Sequence, residues 1–223
     1  MKNTVKFLLV PIALACASLA QAQTAGSWMV RAGATTIKPN VSSGNLSAPS
    51  LPGTQASIGS ASQVSGGITY MYTDNFSVDL PLALPFKHDI AGDGAINGVG
   101  KIADVKALPA TLLAQWRFNS ARDAFRPYVG VGLTYAYFYG ARGTPTLTAL
   151  TGGNPANPTT LSIGSKFAPT VQVGAAYMVD SNWFVDATYT YTALTVTNTL
   201  STGQTLESKI NPGSLSLSVG YKF

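Results

Sequence analysis

The feature that most constrains this chain is a strict alternation of apolar residues with small or polar ones. The closing stretch SLSLSVGYKF (214–223) places Leu215, Leu217 and Val219 on one face and serines on the other. A period of two is that of a β-strand, whose successive side chains point to opposite faces. The same alternation recurs at residues 28–37, 64–72, 76–86, 108–118, 126–139, 167–179 and 183–194. The sequence therefore predicts about eight strands, each close to the ~9–11 residues that a tilted membrane-spanning strand needs.

The composition indicates which environment the apolar faces contact. Charged residues make up 10% of the chain, whereas ~25% is typical of soluble domains. A soluble barrel turns its apolar face inward and needs charges outside. Here the second face carries Gly, Ser, Thr and Ala, which are small enough to fill a narrow interior. The predicted fold class is all-β, an eight-stranded antiparallel transmembrane β-barrel that is apolar toward lipid. Because an open edge cannot lie in lipid, the last strand should close against the first.

The first residues have the layout of a cleaved export signal. Two lysines precede an apolar run over residues 7–20, and Ala22 ends a small-x-small cleavage site. We expect residues 1–22 to be a signal peptide and residues 23–223 to form a single barrel domain. The alternative is a retained N-terminal helix.

The leader also contains the chain's one cysteine, Cys16. A lipid anchor on Cys16 is disfavoured because the usual leucine three residues upstream is missing. Without the leader no thiol remains for a disulfide or a metal site. Loss of the two leader lysines lowers the formal net charge from +5 to +3. No basic cluster remains, so we expect no nucleic-acid partner.

The connections between the predicted strands alternate in length. Short turns fall at residues 73–75, 119–124 and 180–182, and long polar segments fall at residues 39–62, 88–106, 143–165 and 198–211. This alternation is typical of outer-membrane barrels, which have short periplasmic turns and long external loops. We expect the long segments to be extracellular loops, with the stretch TGGNPANPTT (151–160) as a loop tip.

Several stretches, taken together and in order, resemble the OmpW family of small outer-membrane barrels. They are MVRAGATTIKPN (29–40), YMYTDNFSVDL (70–80), PFKHDI (85–90), LPATLLAQWRF (108–118), FRPYVGVGLTY (125–135) and SVGYKF (218–223). The resemblance implies an eight-stranded barrel in the cell outer membrane that carries small hydrophobic molecules and releases them sideways through its wall. Outer-membrane lipid and small hydrophobic molecules are then the expected partners, and no cofactor is expected.

The C-terminal aromatics suggest a further partner. Tyr221 and Phe223 fall where an interfacial aromatic girdle is expected. A terminal aromatic after alternating apolar residues also resembles the signal that the barrel-assembly machinery reads during biogenesis.

Inward-facing charges cluster near strand ends that should face the periplasm. These residues are Arg31, Asp79, Arg117, Arg126, Asp186 and Lys222. Because burying a lone charge is very costly, we predict a polar plug in which the two aspartates neutralise part of the basic set. The alternative, which is strongest for Arg126 and Lys222, is that these charges stand in water at the rim.

Above this plug the inward positions become small or apolar. The predicted ligand path consists of Met71, Pro81, Leu113, Phe138, Phe184 and Leu194. The alternative is ordinary packing of the barrel interior. The family resemblance implies a bulky apolar constriction on the third and seventh strands. Pro81 and Thr190 stand at those positions, so either this chain has no such constriction or Leu113 or Phe138 forms it.

Three prolines weaken one part of the predicted wall. Pro81, Pro85 and Pro109 have no backbone N–H to contribute to a strand ladder. We predict a lateral seam there, through which an apolar ligand leaves the barrel. The alternative is a strand bend or a β-bulge.

Other functional classes have weaker support in the sequence. His88, the one histidine, has Asp89 beside it, but no serine lies in a G-x-S-x-G pattern. We therefore expect no enzymatic activity and, with one histidine and no cysteine in the mature chain, no metal site. A passive barrel whose external loops bind phage, toxin or host surfaces is the competing hypothesis.

Overall fold

A computed structural model describes residues 23–223, so the predicted signal peptide and Cys16 lie outside the described residues. Within residues 23–223, no helix is long and apolar enough to cross a membrane. The elements in chain order are β1 (Trp28–Lys38), β2 (Ser42–Ser43), β3 (Thr54–Ile58), β4 (Ala61–Met71), β5 (Phe76–Ala83), β6 (Phe86–Gly94), β7 (Lys101–Arg117), β8 (Phe125–Gly143), α1 (Pro145–Leu150), β9 (Leu161–Ile163), β10 (Lys166–Met178), β11 (Trp183–Thr192), β12 (Thr195–Leu200), β13 (Thr205–Lys209) and β14 (Gly213–Lys222).

The first and last wall strands pair directly, which closes the barrel. The β1–β14 ladder is antiparallel and runs from Met29↔Lys222 to Lys38↔Gly213. Around the ring the order is β1, β4, β5 with β6, β7, β8, β10, β11 and β14. Since β5 and β6 together make one wall strand, the barrel has eight strands, and the predicted fold class is confirmed.

The outer face carries the apolar side of the alternation, as predicted. Val64, Val131 and Leu217 are each at least 60% exposed on this surface. Such a surface is unfavourable in water and is the kind that lipid covers. Aromatic rings gather at the end with the short turns: Trp28 lies 4.8 Å from Tyr70 and the Trp183 ring 5.2 Å from Tyr221.

The inward and outward faces exchange where β5 meets β6. Leu84 is 57% exposed, but Phe86, which the sequence pattern placed on the same outer face, is 1% exposed. That expectation for Phe86 was wrong because the chain makes an irregular step at Pro85 between the two strands. Beyond the step, Lys87 and Asp89 point outward.

The outer wall beyond this step is charged. Lys101 Nζ lies 2.6 Å from Asp89 Oδ1 and 3.0 Å from Asp104 Oδ2, and Lys87 Nζ lies 3.8 Å from Asp104 Oδ2. Charged side chains on the lipid face destabilise a membrane barrel. The wall carrying this cluster, including β6, therefore stands outside the hydrocarbon layer.

The four long segments form structure of their own, which the expectation of plain loops missed. A small sheet with the order β2-β13-β12-β9 stands above the barrel, together with α1, β3 and the outer ends of β6 to β8. We call this assembly the cap. Its core contains Ile90, Ile102, Val105, Leu147 and Leu200. Its strands are short and rich in Ser, Thr and Asn, so the alternation on which the strand predictions rested is weak there.

Barrel closure depends on Gly33 in β1. A Cβ atom at this position would overlap the carbonyl oxygen of Leu217 and the Cα of Ser218 in β14. We predict that Gly33→Ala lowers the free energy of unfolding by about 1–3 kcal/mol, because the ladder must shift to admit the methyl group. Denaturant unfolding in micelles measures this change. Gly164→Ala is the control, since its Cβ would meet nothing closer than 3.8 Å; equal loss in both variants would contradict the prediction.

Candidate functional site in the barrel interior

Arg31 and Asp79 form an ion pair inside the periplasmic half of the barrel. Arg31 Nη1 and Nη2 donate to the two Asp79 carboxylate oxygens at 2.7 and 2.9 Å. Thr69 Oγ1 donates to Asp79 at 2.6 Å and accepts from Arg31 at 2.9 Å. Gly67 makes room for this geometry, because a Cβ there would lie 2.7 Å from the guanidinium carbon. Paired, hydrogen-bonded forks of this kind are among the stronger interactions available to buried charges.

Arg117 is buried among neutral groups. Its guanidinium donates to Ser77 Oγ at 3.1 Å, to Gln23 Oε1 at 3.0 Å and to Gln115 Oε1 at 2.9 Å. Its carbon also lies 4.6 Å from the centre of the Tyr128 ring, which is a cation–π distance. The uncharged oxygens and the ring together replace the water that this cation loses.

Asp186 bonds to hydroxyl groups instead of to an arginine. It accepts from Tyr128 Oη at 2.9 Å and from Thr188 Oγ1 at 2.8 Å. The predicted neutralisation of the basic set by Asp186 is therefore not a direct ion pair. Tyr128 stands between the two charges, with its ring against Arg117 and its hydroxyl on Asp186.

The remaining two predicted plug residues are also buried. Arg126 donates to the carbonyl oxygens of Gln23 at 2.9 Å, Asp74 at 2.6 Å and Phe118 at 3.3 Å, and it is 0% exposed. Lys222 is 5% exposed. The alternative that these two charges stand in water at the rim was wrong.

Three residues of the predicted ligand path, Met71, Leu113 and Phe184, lie away from the cavity described below. Met71 and Phe184 pack in an apolar cluster with Met29, Ala176 and Met178 at the periplasmic ends of β4 and β11, which is a correction to their expected place above the plug. Leu113 is also buried but pairs at the level of Asp79, away from the cavity described below. Alternation gives the face on which a side chain lies, but barrel stagger sets its height.

A belt of uncharged polar groups, which the sequence reasoning did not single out, completes the floor. Gln115 Nε2 donates to Gln172 Oε1 at 2.6 Å. Hydroxyls from four neighbouring strands bond in series at 2.8, 2.6 and 3.1 Å: Thr111, Thr134, Thr170 and Thr192. Their positions on the inward face were the available signal. We call this belt, with the Arg31–Asp79 pair and the Arg117–Tyr128–Asp186 stack, the polar floor.

A cavity of about 140 Å³ lies above the polar floor. Its wall is mainly apolar, and three residues of the predicted path, Pro81, Phe138 and Leu194, line it, as does Thr190. A second cavity of about 110 Å³ lies in the cap. Ile58 and Asn198 line both cavities and so stand between them. We call them the lumen cavity and the cap cavity.

The strand ladder is interrupted beside the lumen cavity. β5 pairs with β7 as far as Asp79↔Leu113, and pairing resumes with β6 at Phe86↔Ala107. The unpaired edges, residues 80–85 and 108–112, contain all three prolines of the predicted seam, and we use that name for them. Leu82 is 47% exposed on the outer face and also lines the lumen cavity. The cavity therefore reaches the lipid-facing wall at the seam.

His88 lies in the upper wall of the lumen cavity and is 5% exposed. Its Nδ1 lies 2.8 Å from the carbonyl oxygen of Gly59. Asp89, its sequence neighbour, points outward to Lys101 and does not orient the ring. Burial lowers the pKa of His88 below its ordinary value, which favours a neutral ring. Residues 23–223 contain no cluster of three metal-ligating side chains.

We predict that the Arg31–Asp79 pair holds the interior together. Asp79→Asn should lower the free energy of unfolding by about 3–5 kcal/mol, because it leaves a buried cation uncompensated. The double variant Arg31→Met/Asp79→Leu should recover much of the loss, since it removes both charges. Denaturant unfolding followed by tryptophan fluorescence measures all three proteins.

Lys87→Gln is the matched control, because it breaks the exposed pair with Asp104. Such pairs contribute about 0–1 kcal/mol. An Asp79→Asn variant as stable as this control would show that the interior does not depend on the pair.

The comparisons with known proteins agree with this architecture. A family model described as the OmpW family matches residues 24–223. Outer membrane protein W of Vibrio cholerae serotype O1 is 34% identical over 229 residues, covering 100% of both chains. Outer membrane protein W of Escherichia coli is 32% identical over 230 residues, covering 100% of this chain and 99% of its own. The crystal structure of the outer membrane protein OprG from Pseudomonas aeruginosa matches with a TM-score of 0.81 at 26% identity, covering 91% of this chain and 98% of OprG.

Proposed function

The chain belongs to the OmpW family and lies in the outer membrane, and from that premise we propose that it passes small hydrophobic molecules, releasing them sideways through the seam. One observation carries this proposal. An apolar cavity is closed below by the polar floor and borders a gap in the wall at Leu82.

The lining and the floor together select the cargo. An apolar molecule that leaves water for an apolar cavity gains roughly 0.8 kcal/mol for each buried CH₂ group. Transfer of an ion from water to this cavity is unfavourable, because the apolar wall cannot replace the hydration shell of the ion. The groups of the polar floor are hydrogen-bonded to one another, so an apolar molecule that moved further toward the periplasm would have to break those bonds without replacing them. The seam is then the route by which the molecule can leave the cavity.

The prolines reduce the free-energy cost of a gap in lipid. A backbone amide that lacks a partner in the hydrocarbon layer costs several kcal/mol. Pro81, Pro85 and Pro109 contribute no amide N–H on the two edges of the seam. The seam can therefore part with fewer unsatisfied donors than any fully paired region of the wall.

The assembly and catalytic assignments are part of the same proposal. Phe223 is 70% exposed, and its N–H donates to the Trp28 carbonyl at 2.8 Å, so the terminal ring stands free beside Tyr221 for recognition by the barrel-assembly machinery. We assign no catalysis to His88, because its ring nitrogen is engaged by a backbone carbonyl and its neighbour Asp89 faces away.

We predict that Pro81→Val/Pro85→Val slows uptake of toluene and hexane by intact cells. Two added amides, each contributing about 1 kcal/mol when paired, should slow a wall-opening step by roughly 30-fold. Uptake is measured in cells with a defined outer membrane that carry the wild type, the variant or no protein. Glycerol and other polar solutes of similar size should enter equally in all three.

Pro169→Val is the matched control, because Pro169 lies in the paired wall opposite Leu133, away from the seam. It should leave hydrocarbon uptake unchanged. Normal uptake by a correctly folded seam variant would refute lateral release. If the wild type itself gave no increase in hydrocarbon entry, the competing hypothesis of a passive or receptor barrel would stand, and binding partners of the cap would be sought.

A further inference from the structure

We propose that His88 is a hydrogen-bond acceptor inside the lumen cavity and that it selects small apolar molecules carrying one O–H or N–H donor, such as phenols, over molecules of the same size without one. This inference rests on the proposed function, since it names a substrate class for the same cavity. It follows from the protonation of the ring, from the occupation of several other polar groups and from the position of His88 along the path.

The tautomer of His88 follows from its partner. A carbonyl oxygen can only accept a hydrogen bond, so the Nδ1 atom that lies 2.8 Å from Gly59 O carries the proton. In a neutral imidazole the other nitrogen, Nε2, is then an acceptor. The lowered pKa of the ring, caused chiefly by burial, keeps this neutral form in place at neutral pH.

The Nε2 atom is open to the cavity. Among the described residues, one enclosed side-chain polar atom lacks a hydrogen-bond partner, and that atom is Ser218 Oγ. His88 Nε2 also lacks a protein partner but is not enclosed, and His88 lines the lumen cavity. Phe86 lies beside the His88 ring, with centroids 6.5 Å apart, and Val105 stands opposite in the ladder. Both of these apolar neighbours also line the lumen cavity, and neither offers a donor.

Several of the other polar side chains on the cavity wall already have partners. Arg31 is held by Asp79, and Asn198 Nδ2 donates to Leu206 O and to Ser208 Oγ, both at 3.0 Å. Thr111 and Thr134 bond to each other at 2.8 Å. Ser218 Oγ also lines the cavity and has no partner, but it is enclosed, and a hydroxyl group donates as well as accepts. His88 Nε2 is therefore an unprotonated ring nitrogen on this wall that is left to accept from a ligand.

An acceptor without a proton of its own, placed in an apolar part of the wall, gives a preference for molecules that carry a donor. The walls attract a hydrocarbon and a phenol alike, but the phenol O–H also finds Nε2. A neutral hydrogen bond is typically reflected in a preference of about fivefold. Pockets that combine apolar walls with a few placed polar groups obtain their specificity in this way.

The test compares p-cresol with its isomer anisole, which has the same atoms but no donor, and with toluene. Binding to the purified full-length mature protein in micelles is measured by calorimetry for the wild type and for His88→Phe. We expect the preference for p-cresol over anisole to fall about fivefold in His88→Phe. Comparing ratios across the two proteins cancels differences in hydration.

A second measurement needs no variant. Because the chain contains one histidine, the imidazole ¹⁵N signals of labelled protein belong to His88. The Nε2 signal should shift on addition of p-cresol and should stay in place with anisole or toluene.

Equal shifts with p-cresol and anisole, or an unchanged cresol preference in His88→Phe, would overturn the role of His88 while leaving apolar binding intact. Failure of all three molecules to bind the wild type would overturn the proposed function as well.

Discussion

Every backbone amide of a strand in lipid has to find its partner within the protein, and the architecture depends on this constraint. It requires β1 to pair with β14. The two backbones approach so closely that a Cβ atom on Gly33 would overlap the carbonyl oxygen of Leu217. The same constraint makes the break between residues 80–85 and 108–112 exceptional. A gap in a ladder is tolerable in this setting where amides are missing from its edges, and the three prolines are found there.

The same intolerance of unpaired polar groups organises the interior. Arg31 has Asp79, Arg126 has backbone carbonyls, and Arg117 has amide and hydroxyl oxygens with an aromatic ring. Because these groups are ion-paired or hydrogen-bonded within the protein, they fill the periplasmic half of the barrel as the polar floor. The apolar cavity begins where this network ends, so the position of the floor sets the position of the binding space.

Much of the wall could be read from the sequence, because alternation reports directly on which face of a strand meets lipid. The faces of β1, β4 and β14 follow from that pattern alone. Height along the barrel does not, which is why Met71 and Phe184 were placed above the polar floor when they pack below it. The exchange of faces at Phe86 was also missed. The bend considered for the seam prolines does occur at Pro85, but a proline alone does not indicate that the alternation reverses beyond it.

The cap was the least predictable part. Its strands are short and pair across long sequence separations, as β2 does with β13, so no local sequence pattern predicts them. The candidate site shows the same division. The six inward charges could be identified from strand parity, but the partners that make them tolerable, such as Gln23 and Tyr128, depend on closure of the barrel.

The exchange of faces beside Pro85 fixes the depth at which cargo would be delivered. Leu80, Leu82 and Leu84 face the hydrocarbon, and the charged band around Lys101 begins just beyond them. A molecule leaving by the proposed route would therefore enter the outer leaflet rather than the periplasm. Its onward crossing of the bilayer would be spontaneous, so the thickness and fluidity of the surrounding membrane would set the pace of that last step.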